Sequence, residues 1–272
     1  MFRKLGLSEH LLKVIEELQY DSPSEIQKKA IPIILSGRDV IGNAATGSGK
    51  TLAFAAGIIE KIKKGKGMQA LVLTPTRELA EQVSRALRNF SKNHGLHVTE
   101  VYGGVGIEPQ IDKIRYSEVV VGTPGRILDH IDRRTLDLSK VDVLVLDEAD
   151  RMVDMGFLPD VERIIKHCPA ERQTLLFSAT STTDVDRIAK KYMKDPIKVI
   201  VETQVDPTKL SQSYYDVESH LKFSLLVHLL REEKTGLVMV FCNTRRNVNN
   251  LSRNLKMQGL NAIAIHLSLI HI

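Results

Sequence analysis

The sequence predicts an α/β fold built on a parallel sheet with helices on both faces, followed by the opening of a second unit of the same kind. Three observations carry this. Seven short runs rich in Val, Ile and Leu recur up to residue 202, too continuously apolar for strands with one solvated face. Amphipathic stretches separate several of them, the alternation expected of crossover connections. The Gly-, Thr- and Asp-bearing segments fall just after the runs, at what would be the carboxyl ends of strands, where such sheets bind ligands.

In chain order the expected strands are RDVIGNA (38–44), QALVLTP (69–75), HVTEVYG (97–103), SEVVVGTP (117–124), VDVLVLD (141–147), QTLLFSA (173–179) and IKVIVE (197–202). Helical patterns include SEIQKKAIPIIL (24–35), LAFAAGIIEKI (52–62), RELAEQVSRALRNFSK (77–92) and STTDVDRIAKKY (181–192). The polar stretch TQVDPTKLSQ (203–212), with one Pro, reads as a linker. Strands at 213–219, 236–243 and 261–266 and helices at 221–234 and 246–258 are expected after it. The expected division is a first domain over 1–205, a linker over 206–212 and a partial second domain over 213–272.

Composition narrows the function classes. Hydrophobic residues make up 43% of the 272 residues, enough for a globular core, and charged residues 26%. No apolar run is long enough to span a bilayer. The N-terminal MFRKLGLSEH is broken by Glu9 and His10 before it forms a secretory apolar region, which points to the cytoplasm. Cys168 and Cys242 lack metal-type spacing and read as free thiols. Basic residues exceed acidic ones by 38 to 33, a mild excess that suits a polyanion without demanding one. Aromatics are scarce at 5% with no Trp, against a surface that stacks many bases. His94 and His97 read as surface residues, and the basic runs 61–67 and 88–92 as solvated faces or auxiliary nucleic-acid contacts.

AATGSGKT (44–51) follows the first strand and precedes a helix. Small residues there let the amides of Ala45, Thr46, Gly47, Ser48 and Gly49 approach phosphate oxygens, and the helix N-terminus adds a favourable dipole. Lys50 would reach the β and γ phosphates of a nucleotide, and the Thr51 hydroxyl would ligate Mg2+. The strict pattern asks for Gly at position 44, where this chain has Ala. The strand VDVLVLD runs directly into Asp147, Glu148 and Asp150. Carboxylates beside a core need cationic partners. With a phosphate loop nearby, Asp147 is the candidate Mg2+ holder and Glu148 the candidate base for an attacking water.

Taken together, the motifs resemble those of the DEAD-box RNA helicases, in the family's order. PSEIQ (23–27) resembles the adenine-reading Q motif, although Gln19 stands seventeen residues after Phe2 where the family usually has Gly. AATGSGKT resembles motif I, PTREL (75–79) motif Ia, Gly103-Gly104 the GG element and TPGR (123–126) motif Ib. DEAD (147–150) resembles motif II, SAT (178–180) motif III and VMVFCNTR (238–245) motif IV of the second domain. The resemblance implies RecA-like domains, ATP and Mg2+ as cofactors, and sequence-independent RNA as partner; accessory proteins are unknown.

It assigns Phe2, Tyr20, Gln27 and the phosphate loop to ATP, with Gln27 pairing the adenine edge. Phe2 has two readings, a ring near the base or a core residue. Pro75, Thr76, Arg77, Gly103, Gly104, Thr123, Pro124, Gly125 and Arg126 are assigned to the RNA backbone. Ser178 and Thr180, with Asp150, are assigned to coupling between the two sites, or to capping the helix that follows. The family's HRxGRxxR-type segment with its arginine fingers has no match, and the chain closes on LSLIHI. The sequence therefore resembles a helicase cut within its second domain, expected to bind ATP modestly and RNA weakly without unwinding. An ATP- and RNA-binding module without catalysis is the second reading, and a DNA helicase a third.

Overall fold

The structure is a computed structural model that describes residues 1–201, 211–233 and 236–266. The chain divides into two compact units, Met1–Gln204 and Val205–Ile272.

The first unit holds seven strands, β1 (Val40–Asn43), β2 (Ala70–Leu73), β3 (Val98–Val101), β4 (Val119–Gly122), β5 (Val143–Leu146), β6 (Gln173–Ser178) and β7 (Ile197–Ile200). Each lies inside a run expected from sequence. They form one sheet in the order β3-β4-β2-β5-β6-β1-β7, with every pair parallel. The register pairs Val40 with Leu175 and Ile197, and Ala70 with Val119 and Val143. β2, β4, β5 and β6 are buried along their whole length, whereas β3 and β7 carry partly exposed residues, as their edge positions require.

Nine helices alternate with these strands: α1 (Glu9–Glu17), α2 (Glu25–Leu35), α3 (Lys50–Lys61), α4 (Arg77–Phe90), α5 (Glu108–Ile114), α6 (Pro124–Asp132), α7 (Ala149–Asp154), α8 (Leu158–His167) and α9 (Thr183–Tyr192). Successive strand residues face opposite ways, so the sheet separates two cores. Val72, Val121, Val145 and Phe177 pack with Leu11, Ile31, Phe54 and Leu87 of α1 to α4. Leu71, Val120, Leu144 and Leu176 pack with Ile127, Ile164 and Ile188 of α6, α8 and α9. Helix starts are set by side chains: Ser8, Thr76 and Thr182 accept from Leu11, Leu79 and Val185 amides. Among the described residues no helix is long and apolar enough to cross a membrane. Cys168 is buried and Cys242 partly so, and both are free.

The second unit departs from expectation. It contains α10 (Lys222–Glu232) and α11 (Arg245–Met257), but no strand is described at 213–219, 236–243 or 261–266. Leu237 and Phe241 are each 88% exposed and Ile263 80%. Alternating apolar residues supply only a propensity; a strand exists when a neighbour takes up its N–H and C=O groups and a helix covers its face. Most of the expected linker 206–212, and the closing residues 267–272, lie outside the described residues.

Gly122 ends β4 where the chain must turn toward α6. A Cβ there would stand 2.4 Å from Val101 O, a backbone atom of β3 that cannot step aside. Gly122→Ala should therefore lower the stability of the first unit by about 1–3 kcal/mol, read as a denaturant midpoint. An unchanged midpoint would show that β3 yields at this edge.

Candidate nucleotide and nucleic-acid site

All seven strands end on one edge, and the motif residues collect there in two groups set by strand order. The phosphate loop follows β1, Asp147 to Asp150 follow β5, and Ser178 to Thr180 close β6; these three strands are neighbours. Thr76 and Arg77 follow β2, Gly103 and Gly104 follow β3, and Thr123 to Arg126 follow β4, the other three neighbours.

The loop is shaped by a left-handed turn. Gly49 has φ 91°, and a Cβ there would meet Gln27 Nε2 at 2.3 Å, so the position admits only Gly on two counts. The amides of Thr46, Gly47 and Gly49 make no hydrogen bond among the described residues, which leaves them for an anion at the start of α3. Gln27 is buried, and its amide is engaged at both ends: Nε2 donates to Gly49 O at 3.0 Å and Oε1 accepts from Ser24 N at 3.0 Å. Lys50 is buried too and donates to Ala44 O at 3.0 Å. Thr51 is half-buried in the first turn of α3.

Asp147 is 4% exposed at the end of β5. Burial pushes its carboxyl up to about 6 against the attraction of Lys50, and the charge of Glu148 adds to the rise. Oδ1 accepts from the Glu148 amide at 3.0 Å. Glu148 itself sits at φ 51°, a left-handed conformation that costs a non-Gly residue of order 1–3 kcal/mol. Its carboxylate pairs with Arg151 at 3.3 Å. Asp150 then reaches β6: Oδ2 accepts from Ala179 N at 3.2 Å, Thr180 N at 2.9 Å and Thr180 Oγ1 at 2.8 Å. Burial works against its charge, yet the Thr180 hydrogen bonds hold it below the usual carboxylate range. Ser178 Oγ donates to Thr180 O at 2.6 Å, and the cap of α9 falls to Thr182, which separates the two roles weighed for this segment.

In the other group, Thr76 caps α4, and Arg77 lies over the Tyr102 ring at 4.8 Å while donating to Glu81 at 3.1 Å. Gly103, Gly104 and Gly125 are exposed with open space around them. Thr123 precedes α6 and Pro124 opens it. Arg126 does not point outward; both Nη atoms donate to Val105 O at 3.1 Å.

Of the two readings of Phe2, the structure shows the core residue. It is 5% exposed within the core and meets Tyr20 edge-on at 6.5 Å. Tyr20, 42% exposed and tilted against Phe90, is the ring of the two that solvent reaches. An apolar ring near the N-terminus of a compact domain finds the core unless something polar holds it out. Arg151, Glu81, Tyr102 and the Ala179 amide were not legible as site residues; only the position of Tyr102 beside Gly103 gave any signal.

The model of the DEAD/DEAH box helicase family matches residues 24–188. The chain belongs to that family. It is 45% identical over 269 residues to the DEAD-box ATP-dependent RNA helicase CshA of Geobacillus kaustophilus (strain HTA426), covering 97% of this chain and 57% of that protein. The ATP-dependent RNA helicase CshA of Limosilactobacillus reuteri is 43% identical over 268 residues, covering 97% and 54%. Among solved structures, a DEAD box protein from the hyperthermophile Methanococcus jannaschii superposes with a TM-score of 0.72 at 40% identity, over 98% of this chain and 73% of that one. A hypothetical ATP-dependent RNA helicase from Sulfolobus tokodaii gives 0.66 at 33% identity, over 91% and 72%. The chain spans about half the length of the curated relatives it matches. The DEAD tetrapeptide of the family is Asp147 to Asp150 here.

The raised carboxyl of Asp147 has a consequence for stability. Its pKa moves from 3.8 to about 6 on folding, so the folded chain binds this proton more tightly than the unfolded one. Stability therefore falls as pH rises across that window, and the ionised acid remains a burden above it. Asp147→Asn should raise the stability of the free protein at pH 7 by about 1–3 kcal/mol, measured by denaturant unfolding without nucleotide or divalent cation. A less stable variant would mean that Lys50 already compensates the charge.

Proposed function

We propose that the intact protein is an ATP-dependent RNA helicase and that this chain carries its ATP site and half of its RNA site. The observation that carries the reading is the buried, under-compensated Asp147 beside Lys50, at the lip of a loop whose Thr46, Gly47 and Gly49 amides make no hydrogen bond among the described residues. Such an arrangement opposes stability by itself and makes sense around an anionic ligand with its cation.

The residues present fit Mg2+: a carboxylate that burial leaves short of positive charge and a hydroxyl at the first turn of α3, both hard oxygen donors. Asp147 and Thr51 would hold it, and when bound it would neutralise phosphate charge and polarise the γ-phosphoryl group. The chain's own groups do the rest. Lys50 exchanges the Ala44 carbonyl for β and γ oxygens, while the loop amides take the remaining phosphate charge. Glu148, released from Arg151, orients the attacking water and takes its proton. Asp150 carries any displacement of the β5 end to Ala179 and Thr180 through three hydrogen bonds.

The RNA strand would lie across the ends of β2, β4 and β3, where exposed turns and helix starts offer contacts to phosphates and none to base edges. Binding there is accordingly salt-sensitive and indifferent to sequence. Gln27 recognises adenine by trading at least one of its two intramolecular partners for the base edge.

Two variants test the nucleotide half. Lys50→Ala should weaken binding of a fluorescent ATP analogue with Mg2+ by about ten- to a hundredfold, the scale of a charged hydrogen bond, while the fold survives. Equal affinity would remove Lys50 from the phosphates. Gln27→Ala should erode the preference for ATP over GTP by about 1–3 kcal/mol in competition titrations. A preference that does not move would take Gln27 out of the adenine site.

A further inference from the structure

The turn after β3 has a peculiar division of labour. The amides of Gly103, Gly104, Val105 and Gly106 make no hydrogen bond among the described residues, and Gly104 takes φ 83°. Three carbonyls, those of Tyr102, Val105 and Gly106, are by contrast held by side chains. Gln110 Nε2 donates to Tyr102 O and to Gly106 O, each at 3.2 Å, and Arg126 holds Val105 O. With those three carbonyls tied down, the turn offers its amides to an anion.

Gln110 is itself fixed. It is 6% exposed, and behind it lies His130, fully buried on α6. His130 Nε2 stands 3.3 Å from Gln110 Oε1, and Nδ1 stands 2.8 Å from Thr135 Oγ1. The Gln110 amino group is spent on two carbonyls, so its oxygen faces His130 and can only accept. The ring proton must then sit on Nε2, and Nδ1 accepts the Thr135 hydroxyl proton. That hydroxyl is also 3.1 Å from His130 O, but Nδ1 is the nearer acceptor. Burial first, and the charge of Arg126 second, keep His130 below the usual histidine range, which agrees with a neutral ring. Tyr102, whose carbonyl Gln110 holds, donates its hydroxyl to Glu81 at 2.6 Å and lies under Arg77. The chain of contacts thus runs from α6 through the turn to α4.

We propose that Gln110 and His130 are positioning residues for RNA: Gln110 holds the Gly103–Gly106 turn with its amides facing a backbone phosphate, and His130 locks the Gln110 amide in the orientation that does so. This rests on the reading that the turn binds RNA, and a separate variant tests that reading alone.

The test uses residues 1–272, a short oligouridine RNA and Mg2+-ATP. Gln110→Met keeps the length but removes both N–H donors without burying a charge. His130→Phe keeps a flat ring but frees the Gln110 oxygen. Each should weaken RNA binding about three- to tenfold, the scale of one or two neutral hydrogen bonds, with ATP affinity unchanged. The amide resonances of Gly103 and Gly104 should shift and exchange faster in both. In the unaltered protein, imidazole nitrogen spectra should show His130 neutral with its proton on Nε2; a proton on Nδ1 would overturn the proposal whether or not the variants fold. Gly104→Asp places a carboxylate in the turn and should abolish RNA binding. If it does and Gln110→Met leaves RNA affinity unchanged, the positioning role is wrong. If Gly104→Asp also leaves it unchanged, the turn is not an RNA site and both readings fall.

Discussion

Parallel pairing is the constraint on which the rest depends. When every strand runs the same way, each must end on the same edge, and the loops that follow are crowded together whatever their distance in sequence. Residues 44–51, 147–150 and 178–180 meet because β1, β5 and β6 are neighbours, and residues 76–77, 103–104 and 123–126 meet because β2, β3 and β4 are. The boundary between the groups falls between β2 and β5, which pair directly. A ligand on one side of that boundary is therefore one strand spacing from the other side.

The group at the ends of β1, β5 and β6, proposed for the nucleotide, is assembled against the grain of stability. Asp147 is buried with too little positive charge around it, Glu148 bends through a disfavoured backbone region, and loop amides stand open. Each is tolerable because two dense cores pack on either face of the sheet and over-determine the strand ends. The group at the ends of β2, β3 and β4, proposed for RNA, is different in kind. Arg77 and Arg126, the cations expected to meet phosphates, are both occupied by internal acceptors, so shape and amides matter there as much as charge.

The inner strands β2, β4 and β5 were legible because a fully buried parallel strand is apolar on both faces, and the edge strands β3 and β7, with Glu100 and Lys198 among apolar residues, were legible from β-branched runs set between helical patterns. The candidate site was legible where chemistry forces residue type, as at Gly49, whose left-handed turn suits only Gly. It was illegible where only tertiary packing decides. The letters left Phe2 open between base and core, and nothing in them said that Arg126 would turn inward or that Gln27 would be held by Gly49. Gln110 and His130 look like two ordinary helix residues until α5 and α6 are set side by side. The missed strands of the second unit failed for the complementary reason: their apolar pattern was read correctly, but pairing is a property of two segments and not of one.

The tetrapeptide at the end of β5 compresses four unrelated demands. Position 147 is governed by solvation, 148 by backbone torsion, and 150 by hydrogen-bond saturation at one carboxylate oxygen. Position 149 is governed by volume, since Ala149 is 1% exposed against the core on the α7 side. A replacement that suits one place is therefore uninformative about the next, and inserting or deleting a residue would misassign all four at once. Tolerance at this segment should look like four separate alphabets, set side by side with almost no letters in common.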